Sequence, residues 1–173
     1  MGPDPNFAPS PPAEISMIHR RSTVGVYALA FIGLIDQISK WFILDRMRDV
    51  QSTIPVTGFL NFVLVWNRGV TFGFLSRSQQ HYMPYLLVAV AALVLFLLGR
   101  WLWRTESLIV ALALGAIMGG AIGNVIDRLR YHAVVDFLDF YYRDYHWYAF
   151  NIADAAIVTG VALLLIDGMV RGK

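Results

Sequence analysis

Four long apolar runs organise the chain, and the ionisable residues that interrupt them gather toward one end. The first run covers about Thr23 to Leu44. It opens with twelve nearly uninterrupted apolar residues, Val24 to Ile35, then meets Asp36-Gln37-Ile38-Ser39-Lys40 before closing on Trp41-Phe42-Ile43-Leu44. The second, about Tyr82 to Leu98, has no polar residue from Leu86 onward. The third, about Ser107 to Ile126, is rich in glycine and alanine, and the fourth covers about Ile152 to Val170. Each approaches or reaches the ~20 residues a helix needs to cross a bilayer. The pattern predicts a membrane all-α bundle of four transmembrane helices with both termini on one side. Gly115, Gly119 and Gly123 recur every fourth residue, a spacing that lets helix backbones approach closely in lipid.

The connections differ in kind. Gly58 to Trp66 is aromatic and β-branched and stops at Asn67-Arg68-Gly69, which reads as a strand, with Thr71-Phe72-Gly73-Phe74 as a second short one. A small antiparallel sheet at the membrane surface follows, its backbone paired or wet because bare strand edges are not tolerated in hydrocarbon. Phe137 to Tyr148 is dense in rings that favour the headgroup level, and a short interfacial helix is expected there. The proline-rich stretch Met1 to Pro12 disfavours helix. The chain thus divides into a disordered tail, 1–21, and one membrane domain, 22–171, with insertions at about 45–80 and 129–149.

Composition agrees with this reading. Of 173 residues, 57% are hydrophobic and 15% charged, with mean hydropathy +0.56; soluble domains carry roughly 25% charged residues. The formal charge of +2 is spread without a basic stripe, so no nucleic-acid partner is implied. Basic residues near the span ends number 6 on the terminal side and 8 on the other. That count leaves orientation open, although the basic turn Gly99 to Glu106 favours cytoplasmic termini.

Candidate chemistry is narrowed by what is missing. The absence of cysteine excludes a thiol nucleophile, a disulfide and a thiolate metal site. The histidines His19, His81, His132 and His146 show no zinc-ligand spacing, and there is no Gly-x-Ser-x-Gly turn. No metal or organic cofactor is implied. What remains is a set of carboxylates beside amides. Ionisable groups within spans are costly and usually functional. Asp36 lies about 13 residues, roughly 20 Å, into the first span. Asn124, Asp127 and Arg128 end the third span on one helix face, and Asn151 and Asp154 open the fourth. Asp136 lies between them in an apolar setting, Val134-Val135-Asp136-Phe137-Leu138. Depth places all of them near one face. Two carboxylates sharing a proton can serve as general base and general acid on a water attacking an amide.

Structural readings compete for the same residues. Asp36 with Lys40 and Asp127 with Arg128 suit helix-end pairs, Asp139 and Asp144 suit solvated loop positions, and Asp167 suits an interfacial end charge. Two other functional classes also fit paired carboxylates. A small ion or proton transporter would spread polar residues through the membrane depth, and a non-catalytic scaffold would need no carboxylate chemistry.

Five words in order, Asp36-Gln37-Ile38-Ser39-Lys40, Asn67-Arg68-Gly69-Val70-Thr71-Phe72-Gly73, Gly123-Asn124-Val125-Ile126-Asp127-Arg128, Val134-Val135-Asp136-Phe137 and Phe150-Asn151-Ile152-Ala153-Asp154, resemble the prolipoprotein signal peptidase family, signal peptidase II. The resemblance implies an aspartic endopeptidase of the bacterial cytoplasmic membrane that cuts before the diacylglyceryl-modified cysteine of a prolipoprotein. It implies Asp136 and Asp154 as the catalytic pair. Asp36, Lys40, Asn67, Gly69, Asn124, Asp127, Arg128 and Asn151 are implied as site-supporting or substrate-binding. It further implies cytoplasmic termini, an extracytoplasmic sheet cradle, a short amphipathic helix over the site, bilayer phospholipid as surroundings, globomycin-type inhibitors and a monomer. Thr71 stands where the family usually has alanine, a departure at the substrate edge.

Overall fold

The computed structural model describes residues 13–47, 53–69 and 77–171, with side chains from 21 onward in the first helix and from 82 onward in the second. Four helices are long and apolar enough to cross a membrane: α1 (Ala13–Arg46), α2 (Arg77–Leu102), α3 (Leu108–Tyr131) and α4 (Ile152–Arg171). The first begins at Ala13, so residues 13–21, expected in the tail, are helical. No proline follows Pro12 until Pro55, and nothing in between stops the helix from extending backward. The proline-rich stretch 1–12 lies outside the described residues, as does the short strand expected at Thr71 to Phe74.

Helix α3 is the hub and packs on all three other helices. Its small residues make this possible. A side chain at Gly119 would stand 2.6 Å from the Leu29 carbonyl oxygen of α1, and one at Gly120 would stand 2.5 Å from the Ala153 carbonyl oxygen of α4. Dispersion between closely seated backbones is the main attraction available where lipid is as apolar as the helices. Ser107 caps α3 by accepting from the Val110 N–H at 3.3 Å. At the other end His132 takes a left-handed conformation (φ 57°) and donates its N–H to the Arg128 carbonyl, which turns the chain out of the helix.

That reversal leads into β3 (Val134–Tyr142), the central piece of a four-stranded antiparallel sheet ordered β1 (Ile54–Thr57), β2 (Leu60–Asn67), β3, β4 (Tyr145–His146). The expected strand from Gly58 to Trp66 is β2, beginning two residues later. The short interfacial helix expected over Phe137 to Tyr148 is not present: β3, a turn and β4 fill that stretch, and among the described residues the four long helices are the only α-helices. From Val134 to Phe137 the strand is buried on both faces, and antiparallel pairing with β2 satisfies its backbone there. The sheet is tied to the fourth helix by Phe150, whose carbonyl accepts from the Phe137 and Leu138 amides at 3.0 and 2.8 Å.

Candidate functional site: carboxylates held by asparagines

Asp36 and Lys40 are four apart on α1 and meet at 2.8 Å. Lys40 Nζ also reaches Asp127 on α3 at 2.8 Å and Asn124 Oδ1 at 3.0 Å, which uses all three of its donors. Asp36, Lys40 and Asp127 are each no more than 2% exposed. Asp36 Oδ1 accepts the Ala153 N–H at 2.9 Å, so a side chain of α1 caps α4. Asp127 accepts from the Val135 N–H at 3.1 Å and from Gln37 Nε2 at 3.0 Å. Gly123 must lack a side chain because a Cβ there would collide with the Asp36 carboxylate. The helix-end pair expected between Asp127 and Arg128 is not formed. Consecutive helix positions point apart; Asp127 turns inward to Lys40, and Arg128 bonds the Asn124 carbonyl at 3.2 Å.

A second carboxylate pair lies against this network. Asp136 is on β3, opposite Val65 of β2, and is 1% exposed. Its oxygens accept from Asn67 Nδ2 at 2.9 Å and Asn151 Nδ2 at 2.6 Å. Asp154, half-buried in the first turn of α4, accepts from Asn124 Nδ2 at 2.8 Å. Asn151 and Asp154 cap each other reciprocally: the Asp154 N–H donates to Asn151 Oδ1 at 2.9 Å and the Asn151 N–H to Asp154 Oδ2 at 3.3 Å. Asn151 therefore touches both carboxylates. Burial, above all, pushes the Asp136 carboxyl up to about 6; the Asn67 and Asn151 hydrogen bonds oppose this and the Asp154 charge adds to it. Among the described residues neither Asp136 nor Asp154 has an ion-pair partner, although the Arg128 charge acts on both. The Arg128 Nε is buried without a hydrogen-bond partner among the described residues.

The sequence-predicted residues thus fall into one contiguous constellation. Gly69 joins it through its backbone: it sits at φ 75° and donates its N–H to Asn67 Oδ1 at 2.8 Å, orienting that amide toward Asp136. Gln37 was not singled out by spacing; it lies inside the Asp36-to-Lys40 word, and only the fold shows that it joins α1 to α3. Asp139 is a correction. It is 6% exposed rather than solvated, because β pairing sets it opposite Asn61, which donates to it at 3.0 Å, and His146 contacts it at 2.9 Å. Burial alone would raise its carboxyl, but these two hydrogen bonds outweigh it and hold the group below the usual carboxylate range. Asp144 is exposed and Asp167 pairs with Arg171 at 2.9 Å, apart from the site.

Four apolar helices carrying a buried carboxylate cluster under a small sheet define a multi-pass membrane protein with a carboxylate centre. The family model for signal peptidase (SPase) II matches residues 28–170. The chain belongs to the signal peptidase II family, a family of proteases. It is 42% identical over 155 residues to a lipoprotein signal peptidase of Cupriavidus necator, covering 87% of each chain. It is 46% identical over 141 residues to the one of Ralstonia nicotianae, covering 80% of this chain and 79% of that one. A bacterial membrane enzyme structure solved by the in meso method at 1.9 Å resolution superposes with TM-score 0.73 at 28% identity, covering 83% of this chain and 90% of that chain.

Proposed function

We propose that this chain removes the signal peptide from diacylglyceryl-modified prolipoproteins, with Asp136 and Asp154 acting as an aspartate pair on the attacking water. The observation that carries the reading is Asn151, which holds one oxygen of each carboxylate while neither has an ion-pair partner among the described residues. A carboxyl raised to about 6 beside a second carboxylate suits a pair that shares one proton. One member takes a proton from water as it adds to the scissile carbonyl. The other protonates the carbonyl oxygen; as the tetrahedral intermediate collapses it takes that proton back, and the first member passes the proton it took from water to the leaving amine. Asn67, Asn124 and Asn151 orient the pair, and Asp36, Lys40 and Asp127 hold the three helix ends that carry it. Arg128 binds substrate, a role supported by its buried Nε, which has no hydrogen-bond partner among the described residues. The same reading places the protein in the bacterial cytoplasmic membrane as a monomer with cytoplasmic termini and an extracytoplasmic site, open to globomycin-type inhibitors.

Reconstituted protein is to be incubated with a diacylglyceryl-modified prolipoprotein while release of the signal peptide is followed. Asp136→Asn and Asp154→Asn are each expected to fold and to lose activity by about 10²–10⁴-fold, the range of general acid–base contributions. Full cleavage by either folded variant would remove that residue from the chemistry. Folded wild type that cuts nothing would sink the substrate assignment.

A further inference from the structure

Two cavities meet at Trp41, outside the carboxylate centre. The upper, about 440 Å³, is lined by Trp41, Leu44, Asp45, Leu64, Trp66 and Tyr131. The lower, about 280 Å³, is walled by Ile35, Ile38 and Phe42 of α1 and by Phe62 and Phe137 of the sheet. Its one hydroxyl, Ser39, is already spent on the Asp36 carbonyl at 2.7 Å, so the lower cavity offers nothing polar. Asp45 lies ten residues beyond Ile35 on the helix, roughly 15 Å along its axis. The apolar cavity therefore lies deeper in the span and the mixed one at the helix end.

The upper cavity has the chemistry of an ammonium site. Two indoles and a phenol surround it, with the Trp66 and Tyr131 rings edge to face at 5.4 Å, and Asp45 places a carboxylate in its wall. Aromatic faces joined by a carboxylate recognise alkylammonium groups. Asp45 has no ion-pair partner among the described residues. Guanidinium groups flank the cavity walls: Arg130 lies over Tyr131 at 5.4 Å and Arg46 over Phe42 at 5.1 Å. Guanidinium suits phosphate.

We propose that the paired cavities bind a zwitterionic aminophospholipid of the bilayer. Its ammonium lies among Trp41, Trp66 and Asp45, its phosphate toward Arg46 and Arg130, and one acyl chain runs down Ile35, Ile38 and Phe42. The occupant is a bilayer lipid rather than a diacylglyceryl group, because the latter has no cation for Asp45 and needs only the lower cavity. The site adjoins the carboxylate centre through the chain itself: Trp66 precedes Asn67, and Phe137 follows Asp136.

The test is lipid retention by the detergent-purified full chain, read by native mass spectrometry. Phosphatidylethanolamine, phosphatidylglycerol and diacylglycerol of matched chains are added in turn. Wild type is expected to retain phosphatidylethanolamine at least about fivefold over the other two. Asp45→Asn, at an exposed side chain where folding and melting are expected to stay unchanged, is expected to abolish that preference, as is Trp66→Leu. Equal retention of the three lipids would overturn the proposal. So would diacylglycerol retained as well as phosphatidylethanolamine, which would make the cavities a tail site, or an undiminished preference in folded Asp45→Asn.

Discussion

Two pairs of aspartates lie side by side in this molecule and are treated in opposite ways. Asp36 and Asp127 share the ammonium of Lys40 at 2.8 Å each, with backbone N–H groups from Ala153 and Val135 completing their shells. Asp136 and Asp154 share neutral amides, those of Asn67, Asn124 and Asn151. Asp36, Asp127 and Asp136 are buried and Asp154 is half-buried, and the larger difference between the pairs is the counterion. A buried carboxylate with a lysine has its charge balanced and little left to do but hold helices together. A buried carboxylate with only amides is oriented but not neutralised, and in Asp136 it retains an appetite for a proton. Structure and chemistry are thus divided between neighbouring groups of the same residue type.

The strongest way to break this contrast is Lys40→Met. It leaves two carboxylates buried without their cation and is expected to destabilise the fold by about 3–5 kcal/mol, seen as a large fall in melting temperature in detergent. Replacing the whole trio, Asp36→Asn with Lys40→Met and Asp127→Asn, is expected to recover much of that loss; a trio variant as unstable as Lys40→Met alone would show that charge balance is not what the lysine supplies.

Asn151→Ala attacks the other side of the comparison. Both carboxylates remain but lose their common tether, and cleavage is expected to fall about 10²-fold, the effect of slight misplacement of reacting groups. Loss of the α4 cap should also cost about 1 kcal/mol. Cleavage at the wild-type rate would make the tether dispensable.

Asp136 also carries a pH signature of its own. Asp136 titrates near 6 in the fold against 3.8 for the ordinary group, so the folded state holds the extra proton between those values. The stabilisation is complete below 3.8 and is lost as pH rises through 6, on the order of 2–3 kcal/mol in all. Wild type should therefore melt progressively lower across this window relative to Asp136→Asn, and parallel melting curves for the two proteins would contradict the assignment. Arg171→Ala provides the small end of the scale. Its side chain is 60% exposed where it pairs with Asp167, whose side chain is 9% exposed, and it also donates to Ser107 at 2.8 Å; removal is expected to shift stability by no more than about 1 kcal/mol. A loss comparable to that of Lys40→Met would erase the distinction between exposed and buried pairs.

Much of the architecture could be read along the chain. Span length, the Asp36–Lys40 spacing, the glycine repeat of α3 and the strand character before Asn67 are local properties, set by helix rise, side-chain period and backbone crowding. Each of these has its counterpart in the fold. The backward extension of α1 to Ala13 and the replacement of an interfacial helix by β3 and β4 were harder to read. Aromatic density marks the membrane interface without saying whether the backbone there is helical or extended, and partner strand β2 decided it.

The carboxylates themselves were visible as polar residues in apolar surroundings, but their partners were not. Asp127 bonding Lys40 rather than Arg128, Gln37 crossing to α3, and Asp139 buried against Asn61 are all pairings between segments far apart in sequence. The capping of α4 by Asp36 spans 117 positions. Residue spacing sets which side chains share a face of one element, because helix and strand periods are local. Which carboxylate meets a lysine and which meets only asparagines depends on how separate elements dock, and only the packed bundle and its sheet decided that.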